Sequence, residues 1–273
     1  MEGRGVSCNL LKLNSDKRLF VTSQFSGLNP HIFSIWRFII TLYFVAFNAW
    51  YIPYSVIDYG WTFFIYLTNW TFIVVTCYLL VASYNSCVYY YNVTRRGEGS
   101  LLVLESSEET QLPFKYKLQW FLFYISANFS IIVTVVYWAA LYSDDSDSLF
   151  IDLNVHTLTS LIGILETFLS ATPVRLIHVA YPLWYGTIYL FFTVIYWVAG
   201  GTDINGNTYI YPIIDYENEP VTAVLSILGC VAGAFVCQVL LWLIYNLRLK
   251  IASKLIIGER PEESRPTSDS TLL

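Results

Sequence analysis

LQWFLFYISANFSIIVTVVYWAALYS, residues 118–143, carries no charged side chain between Lys117 and Asp144. An α-helix rises about 1.5 Å per residue and a bilayer's hydrocarbon core is about 30 Å thick, so roughly 20 apolar residues suffice to cross it. This stretch is long enough. Residues 59–93 and 220–247 are equally free of charge. Lipid offers the backbone no hydrogen-bond partners, so runs of this kind cross as helices. The expected fold class is an all-α polytopic membrane bundle.

Composition points the same way. AVILMFWYC make up 56% of the 273 residues and DEKR only 13%, about half the roughly 25% charge of a soluble globular protein. That argues against a soluble enzyme. A net charge of −5 with no basic run leaves no nucleic-acid partner to expect. No apolar run precedes Ile32, so there is no h-region of a cleavable signal, and the first span is expected to act as its own. Glu2, in place of Gly, excludes myristoylation.

Outward from residues 118–143, apolar runs place six transmembrane helices at about 33–56, 61–83, 118–142, 149–171, 177–200 and 220–247. They divide the chain into a cytoplasmic N-terminal segment, 1–31, a six-span membrane domain, 32–250, and a cytoplasmic tail, 251–273, with Glu, Ser and Pro. With the N-terminus cytoplasmic, Lys and Arg all fall on one side. Arg37 sits one turn inside span 1, where it is expected to snorkel. The opposite loops hold Asp58, Asp144, Asp145, Asp147, Asp203, Asp215, Glu217 and Glu219. The positive-inside rule therefore predicts that the N and C termini are both cytoplasmic. The sequons at Asn69, Asn92 and Asn128 then lie in spans or on the cytoplasmic side and should carry no sugar.

Short motifs add less. Gly229-Cys-Val-Ala-Gly233 is a GxxxG, expected to mark a close helix contact. The final Thr271-Leu272-Leu273 has the form that a PDZ-type partner reads, against the alternative of a chance match. No Walker loop, zincin helix, GxSxG elbow or Cys/His metal spacing occurs, so neither metal nor cofactor is expected.

Ionisable side chains inside a span are costly and are functional suspects. Span 4 holds Asp152 and His156, spaced i, i+4 on one face, and Glu166 further along. The bland reading hydrates Asp152, bonds His156 to a neighbouring helix and pairs Glu166 with Arg175. Span 2 offers Thr68 in the polar run Thr68-Asn-Trp-Thr71. An isolated membrane Thr usually bonds the carbonyl one turn back. Depth gives the sharper reading. Counted from Trp61 and Leu149, Thr68 and His156 each lie seven residues below the same surface, about 10 Å at 1.5 Å per residue. A hydroxyl and an imidazole at matched depth form a candidate nucleophile and base, with Asp152 to orient the ring.

The phrases Phe192-Thr-Val-Ile-Tyr-Trp197-Val-Ala-Gly-Gly201, Ile210-Tyr-Pro-Ile-Ile-Asp215 and Pro173-Val-Arg-Leu-Ile-His178 with Tyr181-Pro182 resemble the rolling stone proteins, animal membrane proteins named for a role in myoblast fusion. The chain is more remotely similar to the androgen-induced gene 1 and androgen-dependent TFPI-regulating family, multispan hydrolases of fatty acid esters of hydroxy fatty acids. Their threonine matches Tyr66-Leu67-Thr68, and their histidine matches His156-Thr157, with Glu166 ten residues on. The hydrolases read Asn-His-Gly-x-His-Thr where this chain has Leu153-Asn154-Val155-His156-Thr157, without the first His. Residues 201–207 also lengthen the loop before the Tyr-Pro motif.

The resemblance thus implies an intramembrane lipid hydrolase, with Thr68 and His156 catalytic and Asp152, Asn154 and Glu166 supporting. Its lipid substrate would enter laterally from the bilayer. The alternative it implies is a non-enzymatic protein of cell–cell fusion or adhesion. The expected location is the plasma membrane rather than the endoplasmic reticulum.

Overall fold

The computed structural model describes residues 13–96, 111–142 and 148–258. Six helices among them are long and apolar enough to cross a membrane. They are α1 (Pro30–Tyr59), α2 (Leu67–Arg96), α3 (Phe114–Val136), α4 (Leu149–Leu169), α5 (Ala180–Val198) and α6 (Pro220–Gly258). No strand occurs among the described residues; one isolated bridge joins Ser23 to Ser170. Six spans put both ends of the described chain on one side. We call that end proximal, and the end of the 60–66 and 199–219 connections distal.

Local chemistry sets the helix ends. Asn29 caps α1 by accepting from the His31 N–H at 2.9 Å, with Pro30 at the first helical position. Gly60, at φ 62°, stops it, a left-handed conformation that glycine adopts without a Cβ clash. α2 and α6 continue well past the apolar runs expected at 61–83 and 247, reaching Arg96 and Gly258. Helix propagation outlasts the membrane because each further residue needs only its own turn.

α3 is the hub, packed against α2, α4, α5 and α6. Its Trp120, Phe123, Tyr124 and Ala127 are fully buried. α1 and α6 are peripheral, turning Ile35, Phe38, Ile39 and Leu42, and Val221, Leu225, Leu228 and Val236, outward. An exposed apolar face of this size is what a lipid-facing helix presents. The GxxxG of α6 departs from expectation. A Cβ at Gly229 would meet nothing within 4 Å, and at Gly233 only Ile132 of α3, at 4.0 Å, so the motif joins no pair of helices closely within this chain.

The N-terminal segment seals the proximal end. A 3-10 turn, Lys17–Phe20, capped by Asp16, buries Phe20 and Val21 completely. Gln24 N–H donates to Leu169 O at 3.0 Å, and Ala171 N–H donates to Thr22 O at 2.9 Å. Beneath it two sequence expectations need correction. Arg37 does not snorkel, and Glu166 does not pair with Arg175. Arg37 and Glu166, both fully buried, form a bidentate pair at 3.0 and 2.7 Å. Tyr78 OH donates to the same carboxylate at 2.9 Å, and Arg37 also donates to Phe20 O and Ser86 Oγ. The physical reason is desolvation. A charge about two turns inside α1 and another near the end of α4 face each other across the bundle, where only mutual neutralisation makes burial tolerable.

Candidate functional site

The distal end is built from broken helices. After Gly60 the chain turns back against α1 as a 3-10 helix, Gly60–Ile65, and α2 begins only at Leu67, after an extended Tyr66. Two side chains of α2 hold this turn. Asn69 Nδ2 donates to Phe63 O at 2.7 Å, and Trp70 Nε1 donates to Phe64 O at 2.6 Å. The Leu67 N–H, one of the donors that a helix start leaves without an intrahelical acceptor, donates to Tyr189 OH of α5 at 3.1 Å. Thr68 is therefore the second residue of a helix that starts within the bundle. The depth count from Trp61 assumed a continuous α-helix; a 3-10 turn and a break replace its first turns, so that arithmetic does not hold.

His156 sits in a second irregularity. Within α4, Leu153–Leu158 winds as a π-helix, and the C-terminal extension of α3, Tyr137–Leu141, does the same. π turns widen the coil and re-aim side chains, and they recur at functional sites. The two meet. The His156 ring stacks on the Tyr137 ring with centroids 3.4 Å apart and planes 3° apart. Thr134 Oγ1 donates to the His156 carbonyl, and Trp138 Nε1 donates to Thr157 Oγ1 at 2.9 Å. His156 Nδ1 is buried and has no hydrogen-bond partner.

The residues named from sequence separate into two groups. Thr68 and His156 line one chamber with Tyr51, Tyr59, Tyr66, Asn69, Tyr137 and Tyr211, about 840 Å³ of empty space with the part open to its surroundings included. No direct hydrogen bond joins them. The Asp152 carboxylate is close enough to act on both His156 and the Tyr51 hydroxyl. Asn154 turns away; it accepts from Tyr43 OH of α1 and donates to Phe150 O at 2.8 Å. Glu166 is elsewhere, ten residues down α4 and held by Arg37. A supporting part for either in the chemistry would have to act through the helix, because these partners occupy their polar atoms.

Thr68 also lines a second cavity, about 1050 Å³ of empty space with the part open to its surroundings included, which is overwhelmingly apolar. Its walls are Phe129, Ile132, Val133 and Val136 of α3, Leu183, Gly186 and Leu190 of α5, and Ile227, Cys230 and Val231 of α6. Thr68, Tyr137, Leu141 and Tyr211 border both spaces. A hydroxyl thus stands where an aromatic chamber with a few polar groups meets an almost wholly apolar cavity.

Tyr211 is the side chain that sequence reasoning passed over. It was legible only as part of the Tyr-Pro phrase. The 199–219 connection folds back on itself: Asp203 accepts from the Asn205 and Asn207 N–H groups at 2.8 Å, and Asp215 accepts from Glu217 and Asn218 N–H at 3.0 and 2.9 Å. Between these two turns Tyr211 reaches inward. Its ring meets Tyr66 edge-on at 5.6 Å, and its hydroxyl lies against the hydroxyl and backbone of Thr68. Burial pushes the Tyr211 phenol above its ordinary value. The Asn218 backbone and side chain hold the Asp215 carboxyl below its usual value.

Comparison with known proteins fits this architecture. The Drosophila melanogaster protein rolling stone is 28% identical over 221 residues, covering 80% of this chain and 78% of that protein. No solved structure matches the chain. The family model described as protein rolling stone matches residues 10–260, a range that takes in the proximal seal, all six spans and both cavities, and the chain therefore belongs to the rolling stone family.

Proposed function

We propose that the protein is an intramembrane lipid ester hydrolase with Thr68 as nucleophile and His156 as base. One observation carries the reading: side chains from two different helices converge on one chamber, and the hydroxyl among them also borders an apolar tunnel. A ligand pocket of mostly apolar lining with few convergent polar groups is the usual form of a small-molecule site. In the reaction His156 takes the Thr68 proton as Oγ1 attacks the ester carbonyl carbon. The tetrahedral intermediate collapses, the C–O bond to the alcohol breaks, and His156 returns the proton to the leaving oxygen. Water, deprotonated by the same ring, then attacks the acyl-threonine, releasing a fatty acid and regenerating Thr68. The Tyr211 hydroxyl lies beside the Thr68 hydroxyl, and Tyr137 fixes the plane of the imidazole. The substrate enters sideways from lipid, with both termini cytoplasmic and the chamber opening on the opposite side.

The test is labelling of the full chain with a fluorophosphonate that carries an alkyl tail, comparing wild type with Thr68→Ala. Labelling lost only in the variant supports the reading. Equal labelling, or none in well-folded wild type, would leave the non-enzymatic fusion or adhesion role as the better account.

A further inference from the structure

We infer that the ester taken by this site is electrically neutral, with one long acyl chain in the tunnel and an uncharged alcohol in the chamber, a specificity that presupposes the hydrolase reading of the same two cavities. Among the described residues the chamber wall offers hydroxyl, amide and imidazole groups from Tyr51, Tyr59, Tyr66, Asn69, His156 and Tyr211, and no cation. The fixed charges that act on its walls are negative, the carboxylate of Asp152 on Tyr51 and His156 and that of Asp203 on Tyr66. The flanking sequence sharpens this: residues 57–66, 137–152 and 196–220 hold several Asp and Glu and not one Lys or Arg. A free carboxylate or phosphate entering here would lose water, gain no counter-charge and meet repulsion.

The same chain demonstrates what a buried anion requires. Glu166 is taken out of solvent only with a bidentate Arg37 and a donated Tyr78 hydroxyl. Nothing of that kind stands in the chamber wall. Tyrosine hydroxyls and an asparagine amide instead suit the hydroxyl or ester oxygens of a neutral alcohol.

The tunnel sets the other half of the substrate. Its lining on α5 runs from Pro182 to Thr193, about 16 Å at 1.5 Å per residue, comparable with one leaflet of a roughly 30 Å hydrocarbon core. That accommodates a full-length acyl chain. Gly186 and Thr187 on α5 and Ile227 and Val231 on α6 line this cavity together, and Thr187 and Val231 are exposed. An acyl tail would enter between these two helices.

The experiment uses the purified full chain in neutral lipid nanodiscs and two substrates with an identical scissile bond. One is a fatty acid ester of a hydroxy fatty acid with its carboxyl free; the other is its methyl ester. The expected result is a kcat/KM about tenfold or more higher for the methyl ester, the size of one uncompensated charge interaction near a protein surface. Tyr59→Arg, at an exposed position on the chamber wall, should narrow or reverse the ratio, and Asp152→Asn should narrow it. Faster cleavage of the free acid by wild type overturns the inference while leaving the hydrolase reading intact. An unchanged ratio in a folded Tyr59→Arg protein also overturns it. Cleavage of neither ester by monodisperse wild type removes the hydrolase reading and this specificity together.

Discussion

The two ends of the bundle use polar side chains in opposite ways. At the proximal end Arg37, Glu166, Tyr78 and Ser86 close on one another, and the Phe20–Val21 plug is packed over them. At the distal end three segments depart from α geometry, a buried imidazole nitrogen has no partner among the described residues, and a chamber with a few polar groups opens beside Thr68. Both sets of residues are equally out of place in a membrane by composition. Within these two sets the hydrogen bonds separate them, since Arg37 and Glu166 are paired with each other and His156 Nδ1 is paired with no described residue. A fully hydrogen-bonded ion pair is a lock, whereas polar groups held around empty space are available to a ligand.

The largest effect that tests this contrast is chemical. Thr68→Ala and His156→Ala should each lower hydrolysis by about 10⁴-fold, equivalent to roughly 5.5 kcal/mol, with unfolding temperature unchanged. The double variant should be little worse than either single, because the two act as a unit. A loss of folding instead would make the distal residues structural and erase the contrast.

Next is the lock. Glu166→Ala leaves Arg37 buried and uncompensated, and should destabilise the fold by about 4 kcal/mol, read by thermal unfolding in detergent. Arg37→Met combined with Glu166→Leu should recover most of that loss, since an apolar pair of similar volume removes the buried charge. Failure of the rescue would give the pair a role beyond neutralisation.

A smaller effect is expected at Tyr211. Tyr211→Phe keeps the ring against Tyr66 and removes only the hydroxyl beside Thr68. Turnover should fall about tenfold, or roughly 1.4 kcal/mol, with KM little changed. A change confined to KM would make the hydroxyl a substrate contact rather than a donor to developing charge.

The smallest is a pH effect on the loop that delivers Tyr211. Because the folded Asp215 carboxyl titrates below its ordinary value of 3.8, its contribution is fully present above that value and is lost as pH falls through the depressed one. Hydrogen exchange at the Glu217 and Asn218 amides should therefore retain its protection from neutral pH down to about 4 and lose it in stronger acid, after allowance for intrinsic rates. In Asp215→Ala the protection should be weak at every pH.

How far the sequence reads depends on how local each determinant is. Six spans follow from charge-free runs, because membrane crossing is set by the length of contiguous apolar chain. Thr68 and His156 stood out for the same reason: a polar group in such a run is visible in one dimension. So was Asp152, one turn from the histidine. The partners were not visible. Arg37 and Glu166 are 129 residues apart, and nothing in either neighbourhood favours that pairing over Arg175 for Glu166.

The helix start at Leu67 and the π turns at Tyr137–Leu141 and Leu153–Leu158 lie inside the expected spans with no Gly or Pro at the break, so nothing local says that the α-helix is interrupted there. They exist because Asn69, Trp70, Tyr189 and Thr134 supply hydrogen bonds from other turns and other helices. Tyr211 reaches Thr68 for a like reason, through a loop shaped by its own Asp203 and Asp215 turns. The sequence by itself determined the membrane class, the number of spans and the side chains out of place in lipid, since each depends on neighbours along the chain. Tertiary structure alone decided which of those side chains are satisfied and which line a cavity, because in a medium without water every polar group's fate rests on what the other helices bring to it.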